Sequence, residues 1–466
     1  MKVGNESNTT VHELLLPTLL FASLGGMSWA VRGCSGYGGS WGCLFAGTLW
    51  GSAWYFLSRE GKREKSRRYS LGWSVLAISM GMFLAGGRGW MQWSHWFDGR
   101  LYTNWTEGRF VSINPFYGWL WLFVAGIPWA GLGAVLLAWC GSKRPITWKG
   151  LLLRLGLAVA AYKAFESIFN QFPEVFLPLY DQVDYRDWTA NPNLKRVIND
   201  LRAATIHLGV YLTFLGFEVL RRDWRNVKLI AVVGFVNGIG WACLQNWTWA
   251  KWVWPEAQFN WWRCWESSAG ISIGIAYGLA FYICNRPLSQ EEKRTEWQQP
   301  YTLHPTAEKM AVYFALIVGS AFNIKNGLKG FMNLYVCHEA YWVGFFERWG
   351  MGKFDPDRHG FLAREDWWSS VFLVLVVLPA VLLFFRLLRR RLAHPYPQDF
   401  EGDTLPRYTR FFGIVLVIHN ILAQMVTGPH NWTETVFSIY YVLLFLITAV
   451  LVHHYICLRR LGLNRD

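Results

Sequence analysis

GWLWLFVAGIPWAGLGAVLLAW, residues 118–139, runs for 22 residues without a single charge. A helix needs about 20 consecutive apolar residues to cross a bilayer core about 30 Å thick, so this segment is long enough to span a membrane. Just beyond it come Lys143, Arg144 and Lys149. The same arrangement, an apolar run followed by a gap of marked character, recurs along the chain. Further spans are read at 13–31, 41–57, 71–87, 150–169, 203–220, 229–246, 267–284, 308–324, 369–388, 410–427 and 435–456. With 53% hydrophobic and 18% aromatic residues in 466, the composition agrees with lipid as the main solvent.

The gaps alternate between basic and Trp-rich. Arg59, Lys62, Arg63, Lys65, Arg67 and Arg68 follow the second span, and Arg221, Arg222, Arg225 and Lys228 follow the sixth. Arg386, Arg389, Arg390 and Arg391 close the tenth, and Arg459, Arg460 and Arg465 close the twelfth. Every basic cluster follows an even-numbered span, so the positive-inside rule places both termini in the cytoplasm. The net charge of +14 therefore reads as topology rather than as a nucleic-acid surface. The first span lacks the basic start and cleavage site of a signal peptide. Cys34, Cys264 and Cys337 map to the outer side, where a disulfide is permitted.

An internal repeat organises the spans. Arg88-Gly89-Trp90-Met91-Gln92 near the end of the third is answered by Lys329-Gly330-Phe331-Met332-Asn333 near the end of the ninth. Gly26, Trp29 and Ala30 correspond to Gly238, Trp241 and Ala242. The expected fold is thus all-α and polytopic, with about twelve transmembrane helices in two parallel six-helix repeats, residues 1–224 and 225–466, and long outer loops including 326–368. This plan is similar in span count to the six-plus-six architecture of major facilitator transporters. That family's cytoplasmic signature carries an Asp, which Ser58 to Ser70 lacks, and its long central loop is replaced by the tight connection Arg221 to Lys228. No family is assigned. Gly47 and Gly51, and Gly270, Gly274 and Gly278, stand at the four-residue spacing that lets helix backbones touch in lipid.

Polar groups inside spans mark pathways, pairs or sites, because exposing them to hydrocarbon is costly. Lys163 and Glu166 share a face of the fifth span, and Lys163 falls opposite His419 in the repeat register, with Asn420 and Gln424 nearby. They form either a neutralised structural pair or part of a solute site, and His419 could carry a proton near neutral pH. Asn323, Lys325 and Glu266 are further intramembrane candidates, while Glu218 reads as a pair with Arg221 and Arg222 at the inner surface. Arg32, Arg88 and Lys329 lie toward outer span ends beside glycine-rich turns, an arrangement that tolerates a carboxylate or sulfate.

The outer loops are rich in Trp, including Trp90, Trp93, Trp96 and Trp105. Such rings serve as interfacial anchors or as platforms for the apolar faces of sugars. His95 with Asp98, His338 with Glu339, and Asp181, Asp184 and Asp187 are outer groups capable of acid/base work, though no nucleophile or zinc motif accompanies them. Asp355-Pro356-Asp357-Arg358-His359-Gly360-Phe361, continuing to Asp366, resembles an EF-hand calcium loop in its acidic first and third positions and its glycine at the sixth. The resemblance implies calcium held by Asp355, Asp357, His359 and Asp366 with the Phe361 carbonyl. His359 stands where an oxygen ligand is usual, and Asp366 where a Glu is usual. No nucleotide or redox cofactor is indicated.

The sequence therefore points to a secondary transporter of a polar, sugar-like or anionic solute, favoured over an enzyme, in the plasma or inner membrane. The lipid bilayer and the solute are its expected partners. The expected site lies between the halves, with Lys163, Glu166, His419, Asn420 and Gln424 near midplane and Arg32, Arg88, Trp90 and Lys329 toward the outer mouth. The alternatives are a membrane transferase acting on an outer glycan or lipid-linked substrate, and a calcium-stabilised receptor or scaffold. Alkaline phosphatase fused at either terminus or within Ser58–Ser70 is expected to be inactive, and the same enzyme fused after Asp98 active, in a bacterial topology assay.

Overall fold

The computed structural model describes residues 10–34, 39–58, 67–86, 91–142, 146–244, 247, 250, 253–257, 259–295, 305–395, 413–418, 421 and 432–460. The long helices are α1 (Leu16–Cys34), α2 (Gly39–Ser58), α3 (Trp73–Ala85), α4 (Phe116–Cys140), α5 (Trp148–Gln171) and α6 (Leu194–Leu220). They continue with α7 (Trp224–Cys243), α8 (Trp261–Cys284), α9 (Thr306–Tyr335), α10 (Glu365–Ala393) and α11 (Trp432–Arg460). α9 and α10 each contain a π-helical turn, Ala315–Gly319 and Leu373–Val377, and another, Val11–Leu15, leads into α1.

Among the described residues the only sheet is one hairpin, and eight helices are long and apolar enough to cross a membrane. These are α1, α4, α6, α7, α8, α9, α10 and α11. Of the twelve expected spans, 410–427 lies largely outside the described residues, and those matched by α2, α3 and α5 fall short of that length or apolarity. α2 is 20 residues of Gly, Ser and aromatic groups and is buried for most of its length, so it needs no lipid-facing surface. α5 carries Lys149, Arg154, Lys163 and Glu166, which lower its hydropathy.

Lipid is as apolar as a leucine side chain, so helix association in a bilayer depends on close contact and polar ties. α1 and α8 meet at Gly25 and Gly270, where a Cβ on either would collide with the other's carbonyl oxygen. One turn further along, Gly274 sits against Phe21, and Gly278 against Thr18. α2 meets α3 in the same way: a Cβ on Gly47 would lie 2.9 Å from the Ile78 carbonyl oxygen, and one on Gly51 2.8 Å from that of Val75. The glycine spacing visible in the sequence therefore marks helix contacts. α4 runs along α7, with Gly126 against Gly238. The closest helix pairs, α1 with α8 and α4 with α7, cross position 224, so residues 1–224 and 225–466 interleave.

Tryptophan fills the space where these pairs meet. Trp29 of α1 lies 5.5 Å from Trp129 of α4, 6.0 Å from Trp50 of α2 and 6.2 Å from Trp241 of α7, ring centre to ring centre. Trp265 of α8 continues the cluster 6.3 Å from Trp241. These indoles are core residues, whereas the sequence alone suggests a tryptophan population concentrated at the surface.

At one end of the bundle, residues 67–70 between α2 and α3 form a buried strap. Arg67 makes two 3.0 Å hydrogen bonds to the Glu13 carboxylate ahead of α1 and one of 2.9 Å to the Asn285 carbonyl after α8. Arg68 turns the other way, onto Asp223 at the start of α7 and the Gly141 carbonyl at the end of α4. Tyr69 joins both sides. Its N–H donates to Asn285 Oδ1 at 3.1 Å, and its hydroxyl to Asn226 Oδ1 at 2.7 Å. Burial pushes the Tyr69 hydroxyl far above its ordinary pKa, so it stays a neutral donor. Glu308 of α9 accepts from Gly72 N–H at 2.6 Å. Arg67 and Arg68, read in the sequence as solvated topology charges, are therefore buried and neutralised.

The opposite end carries the antiparallel hairpin of β1 (Arg100–Asn104) and β2 (Arg109–Ser112). Asn193 donates from its backbone to Thr103 O and from its side chain to Tyr102 O, which docks the turns after α5 onto β1. The strap's buried ion pairs set the first test of stability. Arg68→Met leaves Asp223 buried without its cation and is expected to cost about 3–5 kcal/mol. Gly270→Ala, through overpacking, should cost about 1–3 kcal/mol, and Gly216→Ala, which meets open space, nothing measurable. Thermal unfolding in detergent would check this order.

Candidate functional site

α9 buries polar side chains along its second half, facing the bundle as intramembrane polar groups usually do. Ser320, Asn323 and Asn326 are 8%, 2% and 7% exposed and stand three residues apart on one side, continued by Gly327 and Gly330. The π-helical turn Ala315–Gly319 comes immediately before them. Such a turn inserts a residue and rotates everything downstream, and turns of this kind recur at functional sites. Here the residues before it, Met310, Ala311 and Val312, bury apolar side chains, and the polar stripe begins after it. No partner for the Ser320 hydroxyl is found among the described residues.

The polar face looks toward α2. A Cβ on Gly319 would lie 3.0 Å from Thr48 Oγ1, and that hydroxyl is 3.0 Å from Ser79 Oγ of α3. Trp41 of α2 stacks on Phe322 at 4.0 Å and fixes the pairing of the two helices. Toward the hairpin end of the bundle, Lys325 donates to Asn326 Oδ1 at 3.3 Å, and Lys329 pairs with Glu365 in the first turn of α10. The result is a line of hydroxyls and amides from the bundle interior to a pair of lysines. Such a line can hydrogen-bond a polar solute, and its lysine end favours an anionic group.

The other expected site residues are dispersed. Lys163 and Glu166 bond each other at 2.8 Å on α5, but the Lys163 side chain is 70% exposed and turned away from the bundle. The proposed convergence with His419 lies outside the described residues, as do Asn420, Gln424, Arg88 and Trp90. Arg32 is in the last turn of α1, with its side chain outside the described portion. Cys264 and Cys337 are free thiols.

The segment that resembles a calcium loop folds as short helical turns, Pro356–His359 and Gly360–Ala363. Asp355 caps the first by accepting from Asp357 N–H at 2.9 Å, and its own N–H donates to His359 Nδ1 at 3.0 Å. Asp366 is held by both arms of Arg364, at 2.6 and 3.1 Å. The Phe361 ring packs edge-on against Trp367. Among the described residues, no three His, Cys, Asp or Glu side chains gather into a metal-binding group.

The acid/base candidates also separate. His95 Nδ1 is 3.8 Å from Asp98 Oδ2, and its ring stands edge-on to Trp105 at 4.6 Å and to Tyr102 at 5.8 Å. His338 is exposed beside the Leu334 carbonyl. Asp184 and Asp187 accept backbone N–H groups in the turns that support the hairpin.

Ser320, Asn326, Thr48 and Ser79 escaped the sequence reading, although Asn323 and Lys325 did not. The three-residue spacing of Ser320, Asn323 and Asn326 was the available signal. No family model matches the chain, and no curated protein or solved structure matches it significantly. The geometry of the 355–366 segment yields a direct test: Asp355→Ala removes a helix cap and is expected to cost about 1 kcal/mol, seen as a small drop in the detergent melting temperature.

Proposed function

We propose that this protein is a secondary transporter of a polar, sugar-like or anionic solute, and that the solute moves along the polar face of α9. The observation that carries this reading is the burial of Ser320, Asn323 and Asn326 within a helix otherwise apolar enough to span a membrane. Intramembrane polar groups that face a bundle interior mark substrate or ion paths. Thr48 and Ser79 extend the path inward, and Lys325, beside the Lys329–Glu365 ion pair, supplies a cation at its outer mouth. In this reading the chain crosses the membrane about twelve times, with α2, α3 and α5 among the crossings. The two halves interleave, and both termini are cytoplasmic. In this reading His419 carries a coupled proton. Lys163 and Glu166 lie on the outer surface of the bundle and drop out of the path.

A second reading rests on His95. Its contact with Asp98, beside Tyr102 and Trp105, provides a base and an aromatic platform suited to a glycan or lipid-linked substrate at the outer face. Uptake of labelled mono- and oligosaccharides and sugar acids into proteoliposomes, with and without a pH gradient, separates the two. Asn323→Ala and Lys325→Met are each expected to reduce uptake by about tenfold or more, the worth of a hydrogen bond to a charged or polar ligand. His95→Ala should leave uptake unchanged. Glycan transfer without accumulation of any solute would overturn the transport reading.

A further inference from the structure

α5 carries a few small and polar side chains on an otherwise apolar outward face. Its inward stripe against α6 is Leu157, Ala158, Ala161, Phe165 and Phe169, with Arg154 at one end. Its outward face exposes Leu152, Leu155, Val159 and Tyr162, and beside them run Gly156, Ala160, Lys163, Ser167 and Asn170, also exposed. The latter positions recur at spacings of four and three, so they form one seam along the helix. The depth of the seam follows from the neighbouring helix. Arg154 reaches Glu218 near one end of α6 at 3.8 Å, and the Phe165 ring covers Gly209 in the middle of it. Lys163 is therefore level with the central part of a helix that is itself long and apolar enough to span.

An ion pair at that depth cannot simply face lipid. Charged groups within a bilayer are stable when they pair inside protein or reach water, and the Lys163 side chain is 70% exposed with Glu166 as its hydrogen-bonded partner. The seam also has room for a second backbone, since a Cβ on Gly156 would meet nothing within 4 Å. Small residues at Gly156 and Ala160 allow close approach, and polar side chains then tie the helices together.

We infer that the outward face of α5 is a two-fold interface with a second copy of this chain, in which Lys163 of each copy pairs with Glu166 of the other. Charge complementarity selects this occupant. A two-fold contact requires that residue i meet j and j meet i. Lys163 and Glu166, opposite in charge and about 4.5 Å apart along the axis of one helix, satisfy that requirement with themselves. Both copies share one membrane orientation, so the two α5 helices run parallel and the pairs fall at the same depth. The inference does not rest on what the protein transports.

The test uses the full chain, reconstituted in lipid under two different affinity tags. The wild type is expected to co-purify with itself and to bleach in two steps in single-molecule counting. Lys163→Glu alone places four carboxylates at the seam and Glu166→Lys alone four ammonium groups, and each should reduce self-association at least about tenfold. Mixed together, the two variants should pair with each other as the wild type does, an outcome that pairing within one chain cannot produce. In native membranes Ala160→Cys should form an oxidant-dependent linked dimer that the parent does not. A monomeric wild type, variants that still self-associate, or a mixture that fails to pair would overturn the interface and leave Lys163 reaching to the outer headgroups.

Discussion

The contact between Gly25 and Gly270 is the constraint on which the rest of the bundle depends. In lipid, burying more apolar surface gives two helices little reason to associate, so stability comes from how closely backbones approach. At this crossing α1 and α8 are so close that neither has room for a methyl group. The approach brings Trp29 and Trp265 into the same interior, where Trp50, Trp129 and Trp241 complete an aromatic centre drawn from five helices. Small residues at the contacts and very large ones between them are two halves of one packing solution. Gly81 against Gly133 and Gly131 against Tyr211 repeat it elsewhere.

Polar chemistry is sorted by depth around that centre. Among the described residues, buried charges at the strap end are paired: Arg67 with Glu13, Arg68 with Asp223, Arg225 with Glu292. Across the bundle, Arg263 of α8 pairs with Glu434 of α11 at 2.9 Å and ties the last helix to the core. The polar face of α9 differs from both, because its neutral hydroxyls and amides are buried without a dense set of charges to neutralise. Fully paired charges fix a structure, whereas neutral donors and acceptors with spare capacity can exchange partners with a solute.

Features with short sequence range were legible. Residues 118–139 became Phe116–Cys140 with small changes at the ends, and the four-residue glycine spacings found their partners, because one helical turn is a local rule. Arg67 and Arg68 were not legible. Within a run of basic residues they look like Arg63 or Lys65, and what distinguishes them is Asp223 and Asn285, far along the chain. Trp241 and Trp265 were ambiguous for a different reason: an indole suits a membrane interface and a packed interior equally well. Lys163 misled because the inward and outward faces of α5 are both built from small and apolar residues. Hydrophobic pattern alone could not say which side meets α6. Ser320 and Asn326 were hidden by attention to charge, since a neutral polar stripe has little weight in a hydropathy profile.

The strap also acts in time. Arg68 leaves the ribosome long before Asp223 exists, and Arg67, whose partner Glu13 precedes it, long before Asn285. Only when the chain has been made past α8 do all their partners become available. The two guanidinium groups thus complete their lock on the bundle only late in synthesis. A chain truncated before Asn285 would keep its first helices and lack the contacts that close the strap.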